Sequence, residues 1–154
     1  SYTPGGGARG DQGTVEYGFV YSGIDGLTIG AAQGDDKSVK NVEVDNTIYY
    51  ATYAMGPITV GYQHNDSDSQ TDTADEDMTA YALTYAVNDD LSLMIAESTI
   101  DSNDKTQDQE VTSIGAAYSM GSASVRFSYN EADNVGGVTG AKDDNTELSL
   151  ALAF

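Results

Sequence analysis

Large apolar residues recur at every second position through most of the chain. The final NTELSLALAF shows the pattern in its barest form, with Leu148, Leu150, Leu152 and Phe154 on one parity and Glu147, Ser149, Ala151 and Ala153 on the other. A period of two is the signature of a β-strand with one greasy face. The same reading predicts nine strands, over 14–22, 27–34, 46–55, 58–65, 78–87, 91–99, 110–120, 123–130 and 146–154. No segment shows a convincing helical period, because the acidic stretches are too polar to bury a face.

The connections sort into two kinds. SGIDG, MGP, VNDD and the stretch around Gly121 are short and built from turn-forming residues. GDDKSVKNVEVD, HNDSDSQTDTADED, DSNDKTQDQ and EADNVGGVTGAKDDN are long and acidic. Short and long alternate strictly, so the short turns belong at one end of the sheet and the long loops at the other. A repeat follows the same rhythm. Tyr21, Tyr53, Tyr85 and Tyr118 each precede a short turn, at spacings of 32, 32 and 33 residues. A unit that is one up-and-down hairpin suits a meander or barrel better than a solenoid or propeller.

Parity also separates the two faces. One carries the tyrosines and the aliphatic residues; of the 11 tyrosines and 3 phenylalanines, only Tyr2 and Tyr50 fall outside it. The other holds Glu16, Gly18, Gly30, Thr52, Gln63, Thr84, Ser92, Gly115, Ser124, Arg126, Ser128, Glu147 and Ser149, a small and polar set. In a soluble sandwich the apolar face would point inward. Tyrosine suits a dry core poorly, since each buried hydroxyl needs a partner. Tyr21, Tyr53, Tyr85 and Tyr118 instead gather beside the short turns, as an aromatic girdle at a membrane interface does.

Composition narrows the picture further. The 25 acidic residues outnumber the 6 basic ones, for a net charge of −19. Such a surface repels nucleic acid, whose binding requires phosphate neutralisation. It favours cations, or a well-solvated exterior. With no cysteine there is no disulfide framework or catalytic thiol. No apolar run approaches the length of a membrane helix, and no signal peptide opens the sequence.

The NTELSLALAF terminus, hairpins such as TSIGAAYSMGSASVRFSYN and the short-turn, long-loop rhythm carry a resemblance. The whole chain resembles the C-terminal half of a Gram-negative general porin, of the sixteen-stranded, trimer-forming kind found in α-proteobacteria. The resemblance implies an all-β, antiparallel up-and-down transmembrane β-barrel in the outer membrane. It also implies passive diffusion of small hydrophilic solutes, contact with lipid and lipopolysaccharide, and a homotrimer. Phe154, with Leu152, Leu150 and Leu148 before it, matches the ending read by the barrel-assembly machinery. Nine strands conflict with the even number of single-chain bacterial barrels, so about seven further strands are expected in an N-terminal half. Residues 1–13 are expected to be a surface loop of the single barrel domain spanning 1–154.

Candidate chemistry is sparse. His64, the only histidine, lies where a strand meets an acidic loop and has no visible catalytic partners, so no enzyme is expected. Asp66, Asp68 and Asp72 have offsets loosely like a calcium loop, but lack its central Gly and final Glu. The expectation is therefore no cofactor, beyond divalent cations loosely held at acidic loops. GGVTGAKDD lacks phosphate-loop spacing and reads as a flexible loop. Arg126, Glu147, Glu16, Gln63, Ser124 and Ser128 are the candidate pore-lining residues. Arg126 and Glu147 act either on the pore field or as a wall ion pair. Glu97 shares the outward parity of Leu91, Leu93 and Ile95, where a carboxylate is disfavoured, and would need a bulge or a subunit contact. Two other readings remain open: a small closed eight-stranded barrel with a structural or adhesive role, and a secreted, calcium-stabilised β adhesin.

Overall fold

Each predicted segment forms a strand, and each strand runs further than its side chains advertise. The computed structural model describes residues 2–3, 14–39, 42–69 and 75–152. Its strands are β1 (Tyr2–Thr3), β2 (Thr14–Ile24), β3 (Leu27–Val39), β4 (Val42–Met55) and β5 (Ile58–Ser69). They continue as β6 (Glu76–Ala86), β7 (Leu91–Ser102), β8 (Gln109–Met120), β9 (Ala123–Asp133) and β10 (Lys142–Leu152). All lie in one sheet in strict chain order, every neighbour antiparallel. The nine long strands are those expected. The two-residue β1, paired to Val15 and Thr14, corrects the reading of 1–13 as loop throughout.

Except in β2, which gains Gly23 and Ile24 beside its short turn, the extra length lies at the long-loop end. Asp45 faces Asp68 across β4 and β5, and Asp66 faces Asp77 across β5 and β6. Asp and Ser are poor strand formers. Once the apolar rungs below fix the register, though, each further rung satisfies backbone donors and acceptors that water would otherwise have to meet. At the opposite end the short turns close through Gly26, Gly56 and Gly121, all at positive φ, which glycine adopts without steric cost.

The parity assignment is visible in the register. Tyr53 pairs with Leu27, Tyr85 with Ile58 and Tyr118 with Leu91, each with the first strand residue after a short turn, while Tyr21 pairs with Ile29, one outward rung further from its own turn. Among the described residues no hydrophobic side chain is buried; Phe19 is 61% exposed, Ile95 52% and Leu148 73%. Among the described residues the strands pack chiefly against their sequence neighbours, in one layer. A single sheet whose apolar face no described residue covers is at odds with a soluble adhesin having its tyrosines inside. Nor, among the described residues, does β10 pair with β1 or β2, as an eight-stranded barrel closed by this chain would require.

Glu97 needs no bulge. Register shifts occur only between β2 and β3 and between β3 and β4, so Glu97 does point outward, opposite Tyr81 and Thr112. Along every strand from β3 to β8 the outward residues turn polar at a similar distance from the short turn: Gln33, Thr47, His64, Thr79, Glu97 and Thr112. Glu97 is one member of this polar collar, at the upper edge of the apolar band.

The last long loop is likewise better ordered than a flexible loop. Residues 135–137 form a short 3-10 turn. Gly136 N–H donates to Gln109 Oε1 (2.8 Å), Thr106 Oγ1 to Gly137 O (3.4 Å) and Asn134 Nδ2 to Asp108 O (3.2 Å). These bonds tie the β9–β10 loop to the β7–β8 loop.

Candidate functional site

The polar face borders two cavities, whose rims also reach Tyr17, Gln33, Thr47 and Asp66 of the outward parity at the first and Ala116 and Phe127 at the second. One, of about 850 Å³, is bordered by Glu16, Gly18, Gly34, Asn46, Asn65, Ser67 and Glu76. The other, of about 380 Å³, is bordered by Ser92, Gly115, Arg126, Ser128, Glu147 and Ser149. Four candidates, Glu16, Arg126, Ser128 and Glu147, therefore line cavities. Ser124 lies on the same face opposite Ala151. Gln63 pairs with Tyr50 and Ala80, and its amide donates to Asn65 Oδ1 (3.2 Å).

Arg126 and Glu147 share the smaller cavity. Arg126 pairs with Ser149 and Glu147 with Ser128, so the two charges sit diagonally on neighbouring strands. They make no ion pair within 4.0 Å; among the described residues the ion pairs involve His64, Lys105 and Lys142. The wall ion pair weighed from the sequence does not form.

Tyr50 lies on the polar face opposite Gly30. Its ring covers Gly30, which is buried beneath it, and a Cβ on Gly30 would meet that ring. A glycine capped by a cross-strand aromatic regains the packing that it cannot supply itself.

A second constellation sits on the opposite face. Tyr49, Tyr62 and Tyr81 form a row across β4, β5 and β6, with ring centroids 6.1 and 5.2 Å apart. His64 faces Tyr49 directly, one outward rung beyond Tyr62 and Tyr81, its ring 4.9 Å from that of Tyr49. His64 Nδ1 lies 3.0 Å from Thr79 Oγ1, and Nε2 lies 3.6 Å from Asp77 Oδ1. Asp66 stands directly opposite Asp77, and donor atoms of His64, Asp66 and Asp77 all lie within 4.8 Å of one another. His64 is thus not the partnerless rim histidine that the sequence suggests. Its partners lie across a strand register that a linear reading does not reveal.

The calcium-loop reading changes for the same reason. Asp66 and Asp68 are alternate residues of β5, on the same outward face, rather than successive ligands of a loop. Asp72 lies outside the described residues, as does Phe154 of the C-terminal signal. Leu148, Leu150 and Leu152 line up outward on β10 opposite Phe127, Val125 and Ala123. Beyond the apolar band, Asp66 and to a lesser degree burial and Asp75 push the Asp68 carboxyl above the usual carboxylate range. Lys142 bonds Asp133 (2.6 Å) and approaches Glu131 (3.7 Å); chiefly the Asp133 bond holds its ammonium above the usual lysine value.

A search of curated proteins found no match. Among solved structures, the outer-membrane-expressed OmpT of Vibrio cholerae superposes with a TM-score of 0.71 at 19% identity. The alignment covers 93% of this chain and 56% of that one. An in-vitro folded OmpT of the same organism, an outer membrane protein, superposes with a TM-score of 0.65 at 16% identity, over 92% of this chain and 64% of that one. The chain thus spans less than two thirds of the length of either, and the likeness establishes the outer-membrane β-barrel fold. The Gram-negative porin family model matches residues 1–154. The chain belongs to the Gram-negative porin family, a β-barrel protein of the outer membrane.

Proposed function

We propose that this chain forms part of the wall of a water-filled channel that passes small hydrophilic solutes and ions by passive diffusion, favours cations and performs no catalysis. The observation that carries the reading is the division of the sheet. The inward residues bordering the two cavities are mostly small or polar, with Ile48, Met78 and Met94 the large apolar ones among them, while the other face is apolar and edged by tyrosines. With the apolar face toward lipid, the polar face bounds the lumen. By register, Glu16, Glu76, Asp143 and Glu147 share that face with Arg126 as the one described cation. Such a wall lowers the energy of a passing cation and raises that of an anion. The sole histidine faces away from both cavities, so it offers no base to a solute inside them.

Among the described residues the outer side of β10 is unpaired, and β2 is paired on its outer side only with β1. In this reading further strands of a longer polypeptide close the wall, consistent with the 56% and 64% coverage of the structural neighbours. A homotrimer, insertion by the barrel-assembly machinery and contact with lipopolysaccharide belong to the same reading and are supported by the family resemblance. The test is planar-bilayer recording of the full-length protein carrying this sequence, under a potassium chloride gradient. Discrete conductance steps with a reversal potential of cation-selective sign are expected. Electrically silent insertion, or a reversal potential of anion-selective sign, overturns the proposal.

A further inference from the structure

We propose that His64, Asp66 and Asp77 form a binding site for a divalent transition-metal ion on the outward face of the wall, beginning at the rung where His64 faces Tyr49 and Thr79. The three donors come from two neighbouring strands whose register is continuous here: His64 faces Thr79, and two residues on, Asp66 faces Asp77. A ladder with hydrogen bonds on every side is a stiffer mount than a loop. The donor atoms therefore meet within 4.8 Å without any segment having to order first.

The imidazole is held on two sides. Tyr49 packs beside its ring at 4.9 Å, and Thr79 Oγ1 lies 3.0 Å from Nδ1. When Nδ1 carries the proton it donates to Thr79, and the Nε2 lone pair then faces Asp77. This is how outer partners fix ring orientation at metal-binding histidines. The Nε2–Oδ1 separation of 3.6 Å is long for a hydrogen bond. It suits two donors bound to one ion: at tetrahedral angles, zinc-bound nitrogen and oxygen lie roughly 3.4 Å apart. Two carboxylates brought face to face repel unless a cation joins them.

The donor set also selects the metal. One imidazole and two carboxylates suit zinc and its neighbours, whereas calcium requires six to eight oxygens and magnesium a hydrated octahedron. The site is accessible, with the Asp77 side chain 55% exposed and that of His64 21%. Three protein ligands leave at least one position for water. His64 and Asp77 border neither cavity, while Asp66 also reaches the rim of the larger one.

Diethylpyrocarbonate reacts at imidazole, and mass spectrometry of the peptide that carries His64, the one histidine of this sequence, reads the site. The experiment uses tag-free, full-length folded protein in detergent, with carbethoxylation of His64 followed by mass spectrometry. Zinc chloride is expected to slow the reaction about tenfold or more at one ion per chain, while calcium chloride at the same concentration leaves it unchanged. In Asp77→Asn the zinc protection is expected to be lost, whereas Asp143→Asn, on the other face, retains it. Full protection in Asp77→Asn, equal protection by calcium, or no protection in the wild type overturns the proposal. The wild-type comparison of the two metals stands even if a variant fails to fold.

Discussion

At the scale of single residues, the wall is shaped by what glycine and tyrosine do together. Gly30 carries no side chain, and Tyr50 lies in the space that a Cβ would fill. The atoms that a methyl group would meet belong to the far end of the ring, which can swing away. Gly30→Ala is therefore expected to leave the strand intact while tilting Tyr50 into the lumen. Single-channel conductance should fall, with resistance to unfolding in detergent unchanged; an unaltered conductance would show that the ring does not border the permeation path. Lys142 supports a second prediction. Its pKa is raised in the folded chain, so the contact with Asp133 contributes stability in full below the unfolded lysine value of 10.5 and loses it as pH rises through the folded value. Melting curves of wild type and Lys142→Met should diverge at neutral pH and converge in strong alkali. A gap that persists there would mean that packing of the stem, not charge, is responsible.

Much of the element scale was legible in the chain because parity is a local property. Leu148, Leu150 and Leu152 announce an outward face without any knowledge of what pairs with β10. The acidic ends of β4, β5 and β6 were not legible, since Asp and Ser argue against a strand and only the neighbouring ladder overrules them. His64 shows the same limit at the candidate site. Its distance in sequence from Thr79 and Asp77 hides a contact that depends on the length of the intervening loop. The interlock of the last two long loops was hidden too, because it rests on hydrogen bonds between segments that both read as solvent-exposed. Its tightest point is Gly137, buried against the Lys105 stem at φ +73°. Gly137→Ala adds a methyl group where the Lys105 stem lies and a side chain where φ is positive, at a cost of about 1–3 kcal/mol. Limited proteolysis should then cut within 134–141 faster than in the wild type. Equal cutting rates would mean that the loop is held by the Gln109 and Asp108 bonds without that packing.

For the whole molecule the decisive quantity is where the charge sits. A net −19 is not spread evenly over the two faces and two ends. The apolar band is free of charge, and the carboxylates crowd the long-loop end: Asp45, Asp66, Asp68, Asp75 and Asp77 lie beyond the band on β4 to β6 and the loop before β6. Deeper along the polar face the charges thin to Arg126 and Glu147, set diagonally on neighbouring strands. Cation preference then has two sources with different reach. The field of the rim acts on ions before they enter and is screened over a Debye length of about 10 Å at 0.1 M salt, shrinking to about 3 Å at 1 M. The wall charges act at closer range, where fewer ions intervene. The cation-to-anion permeability ratio should therefore fall steeply between these two salt concentrations and level off above unity. Arg126→Gln should raise the plateau, because it removes the one described cation of the lumen while leaving the rim untouched. A ratio independent of salt would place the selectivity entirely in the wall. A ratio that collapses to unity would place it entirely in the rim, and Arg126→Gln would then change nothing at high salt.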